Sequence, residues 1–161
     1  HYNIFSEVCK QIFPAVDSAP IFFYNDSMSN RNGADMTQVV AAIIKKDGKI
    51  LACRRPAHKK RGLLWEFAGG KVEEGETCEQ ALARECREEL GVTISVGALF
   101  AEKVHAYEDV TVHLYFYEAE IVGGEPKKLE HDEIRFVLPE ELGGLPFCPA
   151  DRDVLEKLKN Q

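Results

Sequence analysis

The chain reads as an α/β protein of the α+β kind, in which strands outnumber helices. Three stretches carry that expectation. The apolar run Val39-Val40-Ala41-Ala42-Ile43-Ile44 is followed by a turn at Lys46-Asp47-Gly48 and a second run over 49–54, a hairpin signal. Residues 110–121 alternate, with Val110, Val112, Leu114 and Phe116 on one face, which predicts a long strand. Between Thr77 and Gly91, the residues Leu82, Cys86 and Leu90 recur every fourth position, the spacing of a helix with one buried stripe.

The remaining elements fall around these. Phe5, Val8, Cys9, Ile12 and Phe13 fit a short amphipathic helix ended by Pro14. Ile21-Phe22-Phe23-Tyr24 fits a strand, and 25–33 a polar linker. Met36-Thr37-Gln38-Val39-Val40 reads as a natural beginning, so residues 1–35 are expected to be an appended or family-variable extension to a domain over 36–161. Arg54-Arg55-Pro56 closes the first hairpin, a basic loop covers 58–62, and Leu64 to Glu73 leads into the helix through the pair Gly69-Gly70. Strands are expected over 92–96 and 98–105, where His105, like His113 further on, reads as structural. Gly123-Gly124-Glu125-Pro126 breaks the sheet, and Leu129-Glu130-His131-Asp132-Glu133 forms an acidic loop. A last strand over 134–138, a helical turn over 139–142 and a helix over 151–159 complete the chain.

The central helix carries the chemistry. Thr77 with Gln80 is a capping-box pair that starts it, and Gly91 is a natural stop. Glu85, Glu88 and Glu89 sit at i, i+3 and i+4, so three carboxylates are expected to converge. Like charges at that spacing cost roughly a few tenths of a kcal/mol per pair. A hard divalent cation with oxygen ligands reverses the sign. A solvated acidic helix face is the plainer alternative.

Composition limits the partners. Twenty-seven acidic against twenty basic residues leave a net charge of −7, which argues against a nucleic-acid surface. A small polyanion screened by metal ions stays compatible with it. No apolar run approaches the length of a membrane-spanning helix. The five cysteines (9, 53, 78, 86, 148) include no C-x-x-C and are odd in number, so reduced thiols and a cytoplasmic location are expected.

The stretch from Gly70 to Val92 resembles the Nudix box, G-x5-E-x7-R-E-U-x-E-E-x-G-U with U a bulky apolar residue. Gly70, Glu76, Arg84, Glu85, Glu88, Glu89 and Gly91 match every fixed position, and Cys86 is a small residue at the first U. The resemblance extends over roughly 39–158. Val-Val-Ala-Ala-Ile-Ile, Asp-Gly-Lys-Ile-Leu and Trp-Glu-Phe-Ala-Gly-Gly-Lys-Val-Glu are similar to MutT-type Nudix hydrolases. Ala68, where many such proteins have proline, and Pro149-Ala150-Asp151 point to the CTP pyrophosphohydrolase and 8-oxo-dGTP diphosphatase branch.

The resemblance implies a mixed β-sheet sandwiched between helices. It implies hydrolysis of (deoxy)nucleoside triphosphates to monophosphate and pyrophosphate, as in nucleotide-pool sanitation and DNA repair. CTP-like, oxidised pyrimidine or 8-oxo-dGTP substrates are implied. Another nucleoside diphosphate-X substrate such as ADP-ribose, or a binding module without turnover, are the alternatives. Glu85, Glu88 and Glu89, with the Gly69 carbonyl, would bind Mg²⁺ or Mn²⁺. Arg84 would hold Glu85, and Gly70 and Glu76 would support the loop. Glu130, or its rival Glu133, would be the acid outside the box, a general base or further ligand. Arg55 and Phe67 would contact nucleotide, and Asp151 would read the base while capping the last helix. A monomer or homodimer is expected.

Overall fold

The structure is a computed structural model that describes residues 36–161, and the helix, strand, linker and extension expected within 1–35 lie outside the described residues. Its elements are β1 (Met36–Lys46), β2 (Lys49–Arg54), β3 (Trp65–Glu66), β4 (Ala68–Lys71), α1 (Cys78–Leu90), β5 (Thr93–Ala106), β6 (Thr111–Gly123), β7 (Glu133–Val137) and α2 (Arg152–Lys159). Two 3₁₀ turns, Pro139–Gly144 and Pro149–Asp151, precede α2.

The strands form one mixed sheet in the order β3-β2-β1-β6-β5, with β4 also on β1 and β7 on β2. β1 is its hub. It runs parallel to β6 along Met36 to Ile44, antiparallel to β4 over Val39 to Ala42, and meets β2 only at Lys45 and Lys46. That hairpin turns through Asp47 and Gly48, both at positive φ (51° and 74°), the backbone a two-residue type I′ turn requires.

Both faces of β1 are covered. Ala41 and Ile43 join Phe116, Leu142, Val154, Leu155 and Leu158 on the α2 side. Val40, Ala42 and Ile44 join Leu82, Cys86 and Leu90 on the α1 side. A strand buried on both faces reads as a continuous apolar run, which is why residues 39–44 do not alternate. The sheet thus lies between α1 and α2, as expected. Among the described residues no helix is long and apolar enough to cross a membrane.

The caps of α1 are formed as its sequence indicates. The Gln80 N–H donates to Thr77 Oγ1 at 3.2 Å and the Thr77 N–H to the Gln80 side chain at 2.9 Å. Gly91 ends the helix at φ 69°, its N–H on the Arg87 carbonyl. Thr77→Ala removes half of this box and is expected to lower stability by about 1 kcal/mol. A denaturant midpoint that does not move would contradict the cap's contribution.

The structure departs from expectation in three places. The strands expected over 92–96 and 98–105 are one, β5, because register shifts between Val96 and Leu99 and between Leu99 and Ala101 absorb the break at Gly97. The lead-in to α1, for which the sequence predicts no strand, contains two short ones, β3 and β4. Asp151 stands at the N-cap position of α2 but its side chain does not cap the helix: it already has helical dihedrals (φ −90°, ψ −14°) and makes no side-chain hydrogen bond to the helix. Pro149 starts a 3₁₀ turn that carries Asp151 into the protein, so its carboxyl cannot turn back over the amides of α2.

Candidate active site

Arg84, on α1, organises the acidic face. Its Nε and Nη2 donate to the two oxygens of Glu76 at 2.7 and 2.9 Å, and Nη2 also donates to the Lys71 carbonyl at 3.0 Å. Its Nη1 donates to Glu85 at 2.9 Å and reaches Glu88 at 3.4 Å. A bidentate guanidinium–carboxylate pair fixes orientation as well as charge. Arg84 therefore ties the loop after β4 to the helix and holds Glu85. Hydrogen bonds from Arg84, and then from the Glu73 N–H, hold the Glu76 carboxyl below its usual range.

The expected convergence of Glu85, Glu88 and Glu89 needs correcting. Among the described residues no three acidic, histidine or cysteine side chains converge as a preformed metal cage. Each glutamate has a different partner. Glu85 lies against Arg84 and Gly70, Glu88 is 53% exposed and leans to Arg84, and Glu89, only 9% exposed, accepts the Gly69 N–H at 3.0 Å. Gly69 thus meets Glu89 through its N–H.

The donor set nonetheless suits a hard cation. Burial, with the charges of Glu66, Glu85 and Glu130 adding to it, pushes the Glu89 carboxyl up to about 8 against the pull of the Gly69 N–H. Burial also raises Glu85 against the pull of Arg84, with Glu88 and Glu130 adding to the rise. Several carboxylates therefore share one field, with Arg84 balancing them only in part. All-oxygen donors of this kind are what Mg²⁺ takes.

Gly70 connects this face to a cleft. A β-carbon there would stand 2.3 Å from Glu85 Oε1, so only glycine lets that carboxylate lie on the strand. Gly70 and Lys71 also line a cleft of about 500 Å³, with Arg55, Glu66, Tyr107, Cys148 and Asp151 among its other walls. Arg55 lines the cleft, with its Nη1 paired with both oxygens of Glu66 (3.0 and 2.8 Å) and its Nε with the Lys60 carbonyl (2.9 Å).

Asp151 is 4% exposed, and its side chain makes no hydrogen bond to the helix that follows it. Burial holds its carboxyl well above the usual range, Glu66 adds to this, and Lys103 and Arg55 oppose it. Phe67 departs from expectation. It is 4% exposed and packs edge-on to Phe116 and tilted to Phe147, so it belongs to the core and does not line the cleft.

Glu130 and Glu133 separate clearly. The charge of Glu130 bears on Glu85 and Glu89, and its nearest cation is Lys59 at 3.6 Å. Glu133, on β7, is held by Arg54 and Arg135, which keep its carboxyl low.

Sequence reasoning passed over Glu66. It bonds Arg55, lies 3.2 Å from Nε2 of the buried His131, and its charge acts on both Glu89 and Asp151. The available signal was an acid between two aromatics in a strand, where Trp65 and Phe67 point inward together and the acid points the other way.

A mixed sheet between two helices, with a glutamate-rich helix set by an arginine beside a nucleotide-sized cleft, defines a class of phosphoanhydride-handling proteins. The match to the NUDIX domain family spans residues 39–157, and the chain belongs to that family. It is 44% identical over 121 residues to the CTP pyrophosphohydrolase of Escherichia coli K12, covering 75% of this chain and 90% of that protein. It is 35% identical over 123 residues to the 8-oxo-dGTP diphosphatase of the same organism, covering 76% and 95%. Among solved structures, the solution structure of the E. coli ORF135 protein superposes with a TM-score of 0.67 at 42% identity, covering 76% of this chain and 88% of that one.

Proposed function

We propose that this chain is a divalent-cation-dependent nucleoside triphosphate pyrophosphohydrolase that releases a nucleoside monophosphate and pyrophosphate. One observation supports this most. Gly70 lines the cleft and at the same time lies against Glu85, so a phosphate chain entering the cleft meets the acidic face of α1. The relatives named for CTP and 8-oxo-dGTP hydrolysis agree with that chemistry.

Glu85, Glu88 and Glu89, with Glu130 close by, would hold Mg²⁺ or Mn²⁺. Such an ion neutralises phosphate oxygens and acidifies a bound water. The chain's own residues do the rest. Arg84 keeps Glu85 oriented, and Glu76 keeps Arg84. Arg55, shared with Glu66, presents a planar donor to phosphate at the cleft wall. Glu130, exposed and close to the helix, takes the proton from the attacking water.

Asp151 in its neutral form offers one donor and one acceptor side by side. That pair complements the N3 acceptor and N4 amino donor of cytosine, so a cytidine-type triphosphate is the substrate we favour. The free thiols of Cys53, Cys78, Cys86 and Cys148 accord with a cytoplasmic setting.

Hydrolysis in ¹⁸O-water tests the reaction. Monophosphate and pyrophosphate, with the label in pyrophosphate, are expected for attack at the β-phosphorus. Label in the monophosphate would overturn the site of attack, and release of diphosphate and inorganic phosphate would overturn the activity itself.

A further inference from the structure

The basic loop after β2 is tied across the mouth of the cleft to the β5–β6 hairpin. Lys60 Nζ and Arg61 Nη1 pair with Asp109 at 2.8 and 3.1 Å. The Arg61 guanidinium lies 4.2 Å from the centre of the Tyr107 ring, whose other neighbour is the His105 ring at 4.5 Å. Arg61 reaches this position from a left-handed backbone, φ 55°, unusual for a residue with a side chain. Gly62 beside it is hemmed in by the Ala57 carbonyl, 2.5 Å from where a β-carbon would stand. A backbone kept in such a state is over-determined by its surroundings, and the surroundings here are a cleft wall.

Tyr107 reaches further. Its hydroxyl accepts the Ala150 N–H at 3.3 Å, an amide of the 3₁₀ turn that carries Asp151. Its own N–H is fixed on the Val110 carbonyl at 2.8 Å. Arg61, Tyr107, Asp109 and Asp151 all line the same cleft. One aromatic residue therefore holds a stacked guanidinium on its face and the turn of Asp151 on its hydroxyl.

We propose that Arg61 and Tyr107, latched by Asp109, are positioning residues that form the base-end wall of the cleft and set its discrimination among nucleobases. The inference rests on the triphosphate reading above. Its chemistry is that of a flat heteroaromatic ring. The guanidinium held on Tyr107 offers a planar face for stacking, while Tyr107 keeps Asp151 at the depth where it meets the base edge. The phosphate-handling acids of α1 take no part in it.

The test is kcat/KM for the four ribonucleoside triphosphates, measured on the full chain and on two variants. Tyr107→Phe keeps the ring and removes the hydroxyl. Arg61→Lys keeps the charge opposite Asp109 and removes the planar group, and as a surface-loop change it stays informative if the first variant folds poorly. For each, the preferred triphosphate is expected to lose about tenfold in kcat/KM, mostly through KM, the worth of one hydrogen bond or stack. The poorer triphosphates are expected to change little, so the spread among bases narrows. An equal loss for all four, or an unchanged spread, would overturn the proposal while leaving hydrolysis intact. A wild-type chain that hydrolyses all four alike would overturn it as well. Failure of the wild type to hydrolyse any triphosphate would remove the reaction and this inference together.

Discussion

Glu89→Gln is expected to lower kcat by about a thousandfold, the scale of losing several kcal/mol of charge stabilisation in the transition state. The substitution keeps the side-chain volume and one oxygen to accept the Gly69 N–H, which donates to the carboxylate at 3.0 Å. Burial already favours the uncharged carboxyl in the folded chain, so the neutral amide suits the same surroundings and the fold is expected to survive. Two readouts separate site from fold. Mg²⁺ should raise the Tm of the wild type by mass action, and that rise should vanish in the variant while the metal-free Tm is kept. Full activity in Glu89→Gln would refute the assignment of this carboxylate to the cation.

The second large effect is at Asp151, where two substitutions should part company. Asp151→Ala leaves the base edge without partners and is expected to cost about a hundredfold in kcat/KM for the preferred triphosphate, the scale of unmaking two hydrogen bonds in a buried site. Asp151→Asn offers an amide donor and acceptor in place of a neutral acid's hydroxyl and carbonyl, and is expected to keep activity within severalfold. Equal losses in both variants would show that an ionised carboxylate is needed.

Stability carries the same information. The groups facing Asp151 are Glu66 from β3, Lys103 from β5 and Arg55 beyond β2, and burial outweighs the two cations. The folded carboxyl is raised above its unfolded value, so the folded state binds the proton more tightly. Its contribution is fully present below the ordinary aspartate range and is lost as pH rises through the folded value. Asp151→Asn should flatten that fall, which thermal melts across pH would show.

What could be read in the sequence was local. The start and end of α1, its buried stripe and the turn at Asp47-Gly48 depend on residues within a few positions of one another, and they lie where the sequence puts them. The arrangement of the acids did not follow as simply. Spacing places Glu85, Glu88 and Glu89 on one helix face, but Arg84 and the Gly69 N–H decide where each carboxylate turns. Phe67 was misplaced because its surroundings, Phe116 and Phe147, are 49 and 80 positions away and invisible to any periodicity. Asp151 carried the composition of an N-cap, but Pro149 started the turn earlier and buried it. The hold of Tyr107 on Ala150 spans 43 positions and leaves no mark in the sequence.

The most direct measurement is pyrophosphate release from canonical and oxidised nucleoside triphosphates, with ADP-ribose alongside, in the presence and absence of Mg²⁺. Release that requires Mg²⁺ and is fastest with a cytidine-type triphosphate is the expected result. Turnover of ADP-ribose with no pyrophosphate from any triphosphate, or release that is indifferent to divalent cations, would contradict it.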